Sequence, residues 1–341
     1  MMIQGRRVAG LLSLALGVTL TACGGSGGSS SRGGAALPEH DRAVMAGLAG
    51  ASMAQVGIGV AGDIEGSEPV QPMSGSGDVT PRVGTLDEPE LCTSGSQTLL
   101  ERTGPSPAEL PSPYFAGEFE QTVIDADACR FSFSGGGMSF SSYTDGVFEI
   151  GYAENEKVMY FRAADATGDI GGFYHSSMSG SGGMPNMDIK TRGIVHVCEG
   201  CSAPEHGSEF EMLAFLRTEQ AIENTSMNII MGDSLAEPLQ MRSSGTVGGQ
   251  GERVLNGRMG FSMRGNPCAF DAIYETISPL IVRNHDLENE TIIGGELAIT
   301  MVGGDTYDVT FGDGIVMVNG SALSEADMQR LQRHCAFDDE L

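Results

Sequence analysis

Tryptophan is absent from this chain of 341 residues, and aromatic residues make up only 6% of it. With 50 glycines alongside, that composition predicts many turns and a core of modest side-chain volume. Lysine is nearly missing as well: Lys157 and Lys190 are the only two, so the remaining bases are all arginine. Nineteen basic residues face 45 acidic ones, for a net charge of −26. A surface of that sign repels phosphate backbones and anionic headgroups, which excludes nucleic acid as a partner. H-E-x-x-H, S-x-x-K and Walker-type loops are missing too, so the common signatures of metalloprotease, serine acylase and nucleotide hydrolase are not present. One G-x-S-x-G occurs (Gly24, Ser26, Gly28), but no strand pattern precedes it and no helix pattern follows, as a nucleophile elbow requires. No cofactor signature is found, and no catalytic residue is assigned.

What is present begins at the amino terminus. Arg6 and Arg7 precede an uncharged apolar run from Val8 to Leu20, too short to span a bilayer but suited to the core of a secretory signal. Leu20-Thr21-Ala22-Cys23 ends that run. This segment resembles the lipobox of bacterial lipoproteins, whose cysteine is acylated after cleavage of residues equivalent to 1–22. The resemblance covers only the first tenth of the chain. It implies lipidation of Cys23, insertion of the acyl chains into a lipid bilayer, and, with Gly24 rather than Asp following, residence at the outer membrane, on its periplasmic face or at the cell surface. Two or more acyl chains anchor stably where one would not.

Residues 23–42 open with a Gly/Ser-rich stretch that reads as a flexible tether. Ala43 to Gly62 carries no charge over twenty residues, five of them glycine. We read its first part as a small-residue helix capped by Asp41, with Val44, Met45, Leu48 and Met53 near one face. Near Gln55 it should turn into a strand where Val56, Ile58 and Val60 alternate, followed by an acidic loop to residue 90. From Cys92 onward the recurring period is two. Phe148, Ile150 and Tyr152 alternate, as do Leu297, Ile299 and Met301, and Tyr307, Val309 and Phe311. Gly303-Gly304-Asp305 separates the last two runs as a hairpin would. The pattern predicts a mainly β protein of antiparallel sheets, a sandwich or two β-meander lobes (91–195 and 196–341), with the N-terminal helix and one C-terminal helix.

The two halves also look alike. A glycine leads to a cysteine twelve residues on (Gly117 to Cys129) and eleven residues on (Gly257 to Cys268), and Gly146 and Gly295 each begin a strand–turn–strand. The C-terminal helix carries its own start signal, Ser324 as cap with Asp327 three residues later, and Leu323 and Met328 as a hydrophobic staple.

Six cysteines remain besides Cys23: Cys92, Cys129, Cys198, Cys201, Cys268 and Cys335. An even number in an exported chain predicts disulfides, with fifteen possible pairings; sequence neighbours suggest 92 with 129, 198 with 201 and 268 with 335. His196, Cys198, Cys201 and His206 form the one arrangement with metal-ligand spacing, and His175, Met178, Met184 and Met187 lie just upstream. An oxidising compartment favours a bridge between the two thiols over a metal. Asp305, Asp308 and Asp313 fit no calcium-loop spacing. The sequence therefore supports a non-catalytic envelope lipoprotein that binds or scaffolds another protein or a glycan. Its alternatives are a periplasmic zinc or copper binder on His196, Cys198, Cys201 and His206, and a hydrolase without a recognisable motif.

Overall fold

The period-two alternation is realised throughout a computed structural model of the chain. It describes residues 37–50, 92–105, 118–135, 138–153, 155–163, 172–181, 186–200, 210–223, 225–246, 248–264, 268–283, 291–312, 315–324 and 326–327. One helix, α1 (39–50), is followed by fifteen strands. The first six are β1 (Ser94–Gly104), β2 (Phe119–Gly135), β3 (Met138–Ala153), β4 (Glu156–Arg162), β5 (Tyr174–Gly180) and β6 (Met187–Glu199). Next come β7 (Phe210–Ile222), β8 (Thr225–Met231), β9 (Leu239–Gly245), β10 (Gln250–Met263) and β11 (Phe270–Arg283). The last are β12 (Thr291–Met301), β13 (Thr306–Gly312), β14 (Ile315–Val318) and β15 (Ser321–Ala322).

All fifteen belong to one antiparallel sheet, wound in nearly sequential order. The lobe boundary drawn after residue 195 falls inside β6, which pairs with β4 on one side and β7 on the other, so the sheet is continuous there. Twice, two short strands share the gap between two long ones. The distal half of β3 pairs with β5 and its proximal half with β4, and β6 closes both. In the same way β8 and β9 lie end to end between β7 and β10.

Glycines make the bends that this arrangement needs. Gly146, Gly193, Gly257 and Gly295 sit mid-strand with φ of 103°, 129°, 104° and 111°. Such angles are open to glycine and strained for other residues. At Gly193 a Cβ would lie 1.9 Å from the Phe215 carbonyl oxygen, so neighbouring backbone comes closer than any side chain would allow. Gly146 and Gly295 are therefore corners within long strands, not the strand beginnings that the repeat suggested. The architectural repeat is instead the pair of short strands held between two long ones.

The face carrying α1 holds the main core. Phe148 and Ile150 on β3, Leu297, Ile299 and Met301 on β12, and Tyr307, Val309 and Phe311 on β13 are all buried in it. Tyr152, at the end of β3, is 37% exposed and departs from the expected alternation. Helix α1 lies on this face through small residues: Ala43 and Ala46 are fully buried, and a Cβ on Gly47 would touch Ile299 and Val309. The helix starts at residue 39, not at Asp41, and the Arg42 amide donates to the Pro38 carbonyl as its first turn closes. Glu39 in that turn accepts a hydrogen bond from the Asp305 amide (2.6 Å) in the β12–β13 hairpin, which has the expected Gly303-Gly304-Asp305 tip. The strand expected at Val56–Val60 and the acidic loop lie outside the described residues.

The centre of the sheet is buried on its opposite face too, where Phe119, Val158, Tyr160, Ile194 and Leu213 form a second, smaller cluster. Strands buried on both sides read as continuous apolar runs, and Ile194-Val195-His196-Val197-Cys198 is one. At the C-terminus, Ser324 Oγ accepts from the Asp327 amide (3.1 Å) and donates to its carboxylate (2.6 Å), the reciprocal cap that the sequence predicts. The rest of that helix, with Met328, lies outside the described residues. Cys92 and Cys129 form a disulfide that ties the start of β1 to β2. Closing a loop of 37 residues stabilises by about 4 kcal/mol in the chain-entropy picture. Cys198 and Cys268 are each disulfide-bonded as well, while Cys201, Cys335 and Cys23 lie outside the described residues.

Candidate ligand-binding site

The metal arrangement comes only partly into view. His196 and Cys198 share the opposite face of β6, but the Cys198 sulfur is in a disulfide and offers no thiolate. His196 is fully buried, with Nε2 2.9 Å from the Glu156 carboxylate. Burial lowers its pKa, and Glu156 opposes that shift. His206 lies outside the described residues. Among the described residues no three His, Cys, Asp or Glu side chains gather as a metal site. His175 and Met178 are also kept apart, because an odd separation along β5 sends them to opposite faces. Met178 pairs with Met187; Met184 and Asp313 lie outside the described residues, and Asp308 is exposed on β13.

A different constellation is assembled by register alone. On the opposite face, at the distal ends of β2, β3, β5 and β6, cross-strand partners fall into rows. Ser132 faces Ser141, which faces Ser179; Ser134 faces Ser139, and the Ser139 hydroxyl donates to that of Ser181 (3.1 Å). The next row runs Arg130, Tyr143, Ser177, Asp188. Strand spacing and rise place these hydroxyls on a grid of about 4.8 by 6.8 Å. Ser132, Ser134, Ser139, Ser141, Ser179 and Ser181 are all exposed.

One side of the grid is a polar wall. The Arg130 guanidinium lies 4.7 Å over the Tyr143 ring, and His175 meets the same ring edge-on at 5.1 Å. His175 Nε2 is 3.0 Å from the Asp188 carboxylate. Partial burial raises the Tyr143 pKa, with Asp145 adding to the rise, so the phenol stays a neutral hydrogen-bonding group. A shallow depression of about 320 Å³ lies here, lined by Arg130, Ser141, Tyr143, Ser177, Ser179 and Asp188 among others.

No family model, curated protein or solved structure matches this chain. The chemistry of the site must then be read from its geometry. Ser177, His175 and Asp188 are the types of a hydrolytic triad, and the His–Asp hydrogen bond is present. Ser177 follows His175 by two positions on one strand, however, which places their side chains about 7 Å apart along the face. The seryl hydroxyl makes no hydrogen bond to the imidazole, so it has no base to activate it. What the arrangement presents to a ligand is a set of polar groups.

The platform could not be read ahead of the structure. Its serines come from three separated segments, and in sequence Ser132–Ser142 looks like a turn-rich stretch. Alternation of serine at 132 and 134, at 139 and 141, and at 177, 179 and 181 was the available signal. Period two applies to polar residues as well as to apolar ones.

Proposed function

We propose that this protein is a non-catalytic lipoprotein of the bacterial outer membrane, anchored through acylated Cys23, whose serine platform binds a glycan. The carrying observation is the exposed hydroxyl grid on β2, β3 and β5, bordered by Arg130, Tyr143 and Asp188. A protein partner would call for a central aromatic anchor. Among the described residues Tyr143 is the aromatic on this face of the platform, and it has Arg130 over its ring and His175 at its edge. Saccharide hydroxyls, which both donate and accept, suit a lattice of serines that do the same.

The platform is tested with the double variant Ser141→Leu/Ser179→Leu in calorimetry against oligosaccharides first selected on a glycan array with the wild-type protein. Both positions are exposed, so the melting temperature should hold while affinity falls at least about tenfold, a loss of a few hydrogen bonds. An unchanged affinity, or a wild-type protein that binds no glycan, rejects the reading.

The anchor is tested separately. Cys23→Ser should move the protein from the outer-membrane fraction into the soluble envelope fraction and abolish palmitate labelling. A variant retained with the membrane to the wild-type extent removes the lipid from the account.

A further inference from the structure

Two rows further along the same face, past the row of His175, Lys190 and Glu219, β6 and β7 bring two arginines directly opposite each other, Arg192 and Arg217. Like charges in direct cross-strand register are destabilising, and this chain has few bases to place. The two differ in what occupies them. The Arg217 guanidinium donates to the carbonyls of Leu216, Met231 and Gly232 at 2.9 Å each, and to that of Asp233 at 3.3 Å, so it pins the bend between β8 and β9. Arg258, the next base along, is held by Asp233 and Asp271 at 2.7 Å each. Arg192 has no ion pair among the described residues. Its guanidinium lies 5.1 Å over the Phe173 ring, and its buried Nε–H has no hydrogen-bond partner.

A buried donor left unmet costs on the order of 1–3 kcal/mol. Burial and the nearby charge of Arg258, with a smaller contribution from Arg192, depress the Arg217 pKa. An oxyanion would relieve both costs, because a carboxylate, sulfate or phosphate accepts from the guanidinium fork and neutralises the row. Asp233, between β8 and β9, and Asp271 on β11 serve Arg258 and leave Arg192 open.

We infer that Arg192, stacked on Phe173 and facing Arg217, is an oxyanion-recognition site that receives the acidic group of the ligand held by the serine platform. The inference rests on the glycan reading for the rest of the ligand, and makes that ligand an acidic saccharide. The site lies along β5 and β6 from the platform, with Phe173 four residues before Ser177.

Arg192→Gln is the test, with Arg264→Gln, an exposed arginine at the end of β10, as control. The melting temperature is followed in sodium sulfate and in sodium chloride at matched ionic strength. Sulfate stabilises folded proteins in general, so all three should gain over chloride, and the gain should be clearly smaller in Arg192→Gln than in the wild type and in Arg264→Gln. In chloride alone Arg192→Gln should melt at or above the wild type, since it removes a repulsion. A sulfate gain in Arg192→Gln equal to that of the wild type overturns the site, and so does a lower midpoint of that variant in chloride, which would make Arg192 structural. With saccharides, a uronic-acid oligomer should bind the wild type about tenfold more tightly than its neutral counterpart, and Arg192→Gln should erase that preference only. If no saccharide binds but the Arg192-dependent sulfate effect remains, the glycan reading fails and the oxyanion site stands.

Discussion

Gly193→Ala is expected to remove a large share of the stability of the fold. The backbone at this corner has φ of 129°, which costs about 1–3 kcal/mol for a residue with a side chain. The new methyl would also sit 1.9 Å from the Phe215 carbonyl oxygen, so β6 and β7 must part in the middle of their continuous run of pairs. Overpacking of this kind costs about 1–3 kcal/mol again. The sum is a large share of the roughly 5–15 kcal/mol that holds a domain together. Gly303→Ala is the matched comparison: φ there is 76°, but a Cβ would meet nothing within 4 Å. Chemical denaturation should place the Gly193 variant well below the Gly303 variant, and equal midpoints would mean that the corner is not set by close backbone approach.

Tyr274→Ala should be nearly as damaging, for a different reason. The ring is buried on β11 beneath α1, and its hydroxyl donates to the Ala46 carbonyl at 2.7 Å. Burial raises its pKa well above the ordinary value, so the phenol is a neutral donor at any pH the protein meets. Removing the ring leaves a cavity under the helix, worth about 3–5 kcal/mol for an aromatic truncated in a core. Tyr274→Phe removes only the hydrogen bond and should cost about 1 kcal/mol, plus part of the desolvation of the Ala46 carbonyl. Hydrogen exchange of the α1 amides should accelerate strongly in Tyr274→Ala and slightly in Tyr274→Phe. Equal protection in both variants would show that the helix is held by something other than this ring.

The same residues show how far reading ahead can go. Leu297, Ile299 and Met301 announce a half-buried strand because alternation follows from the pleat itself, whatever lies across from it. Ser324 and Asp327 announce a helix start because both partners lie within one turn. The hairpin at Gly303 is local in the same sense. By contrast, His196 and Cys198 draw attention as metal ligands by their types, yet they belong to a strand buried on both faces, with the sulfur in a disulfide. A continuous apolar run does not say which side is covered or by what. Gly146 and Gly295 recur in similar contexts, but a glycine that turns a corner and one that precedes a strand are alike until the neighbouring strand is in place.

From the sequence alone came the acidic, lysine-poor character, the β periodicity, the neighbouring pair Cys92 and Cys129, the cap at Ser324, and the resemblance at Cys23 to a lipid anchor. Each depends on composition or on contacts within a few residues. The tertiary structure alone decided that Ser132, Ser141 and Ser179 stand in one row, and that Arg192 faces Arg217. Those juxtapositions depend on strand register, where a slip of one residue sends every side chain to the other face. Register here is set by glycine corners, bulges and the buried faces of strands far apart in the chain, which is why the candidate site emerges only when the sheet is assembled.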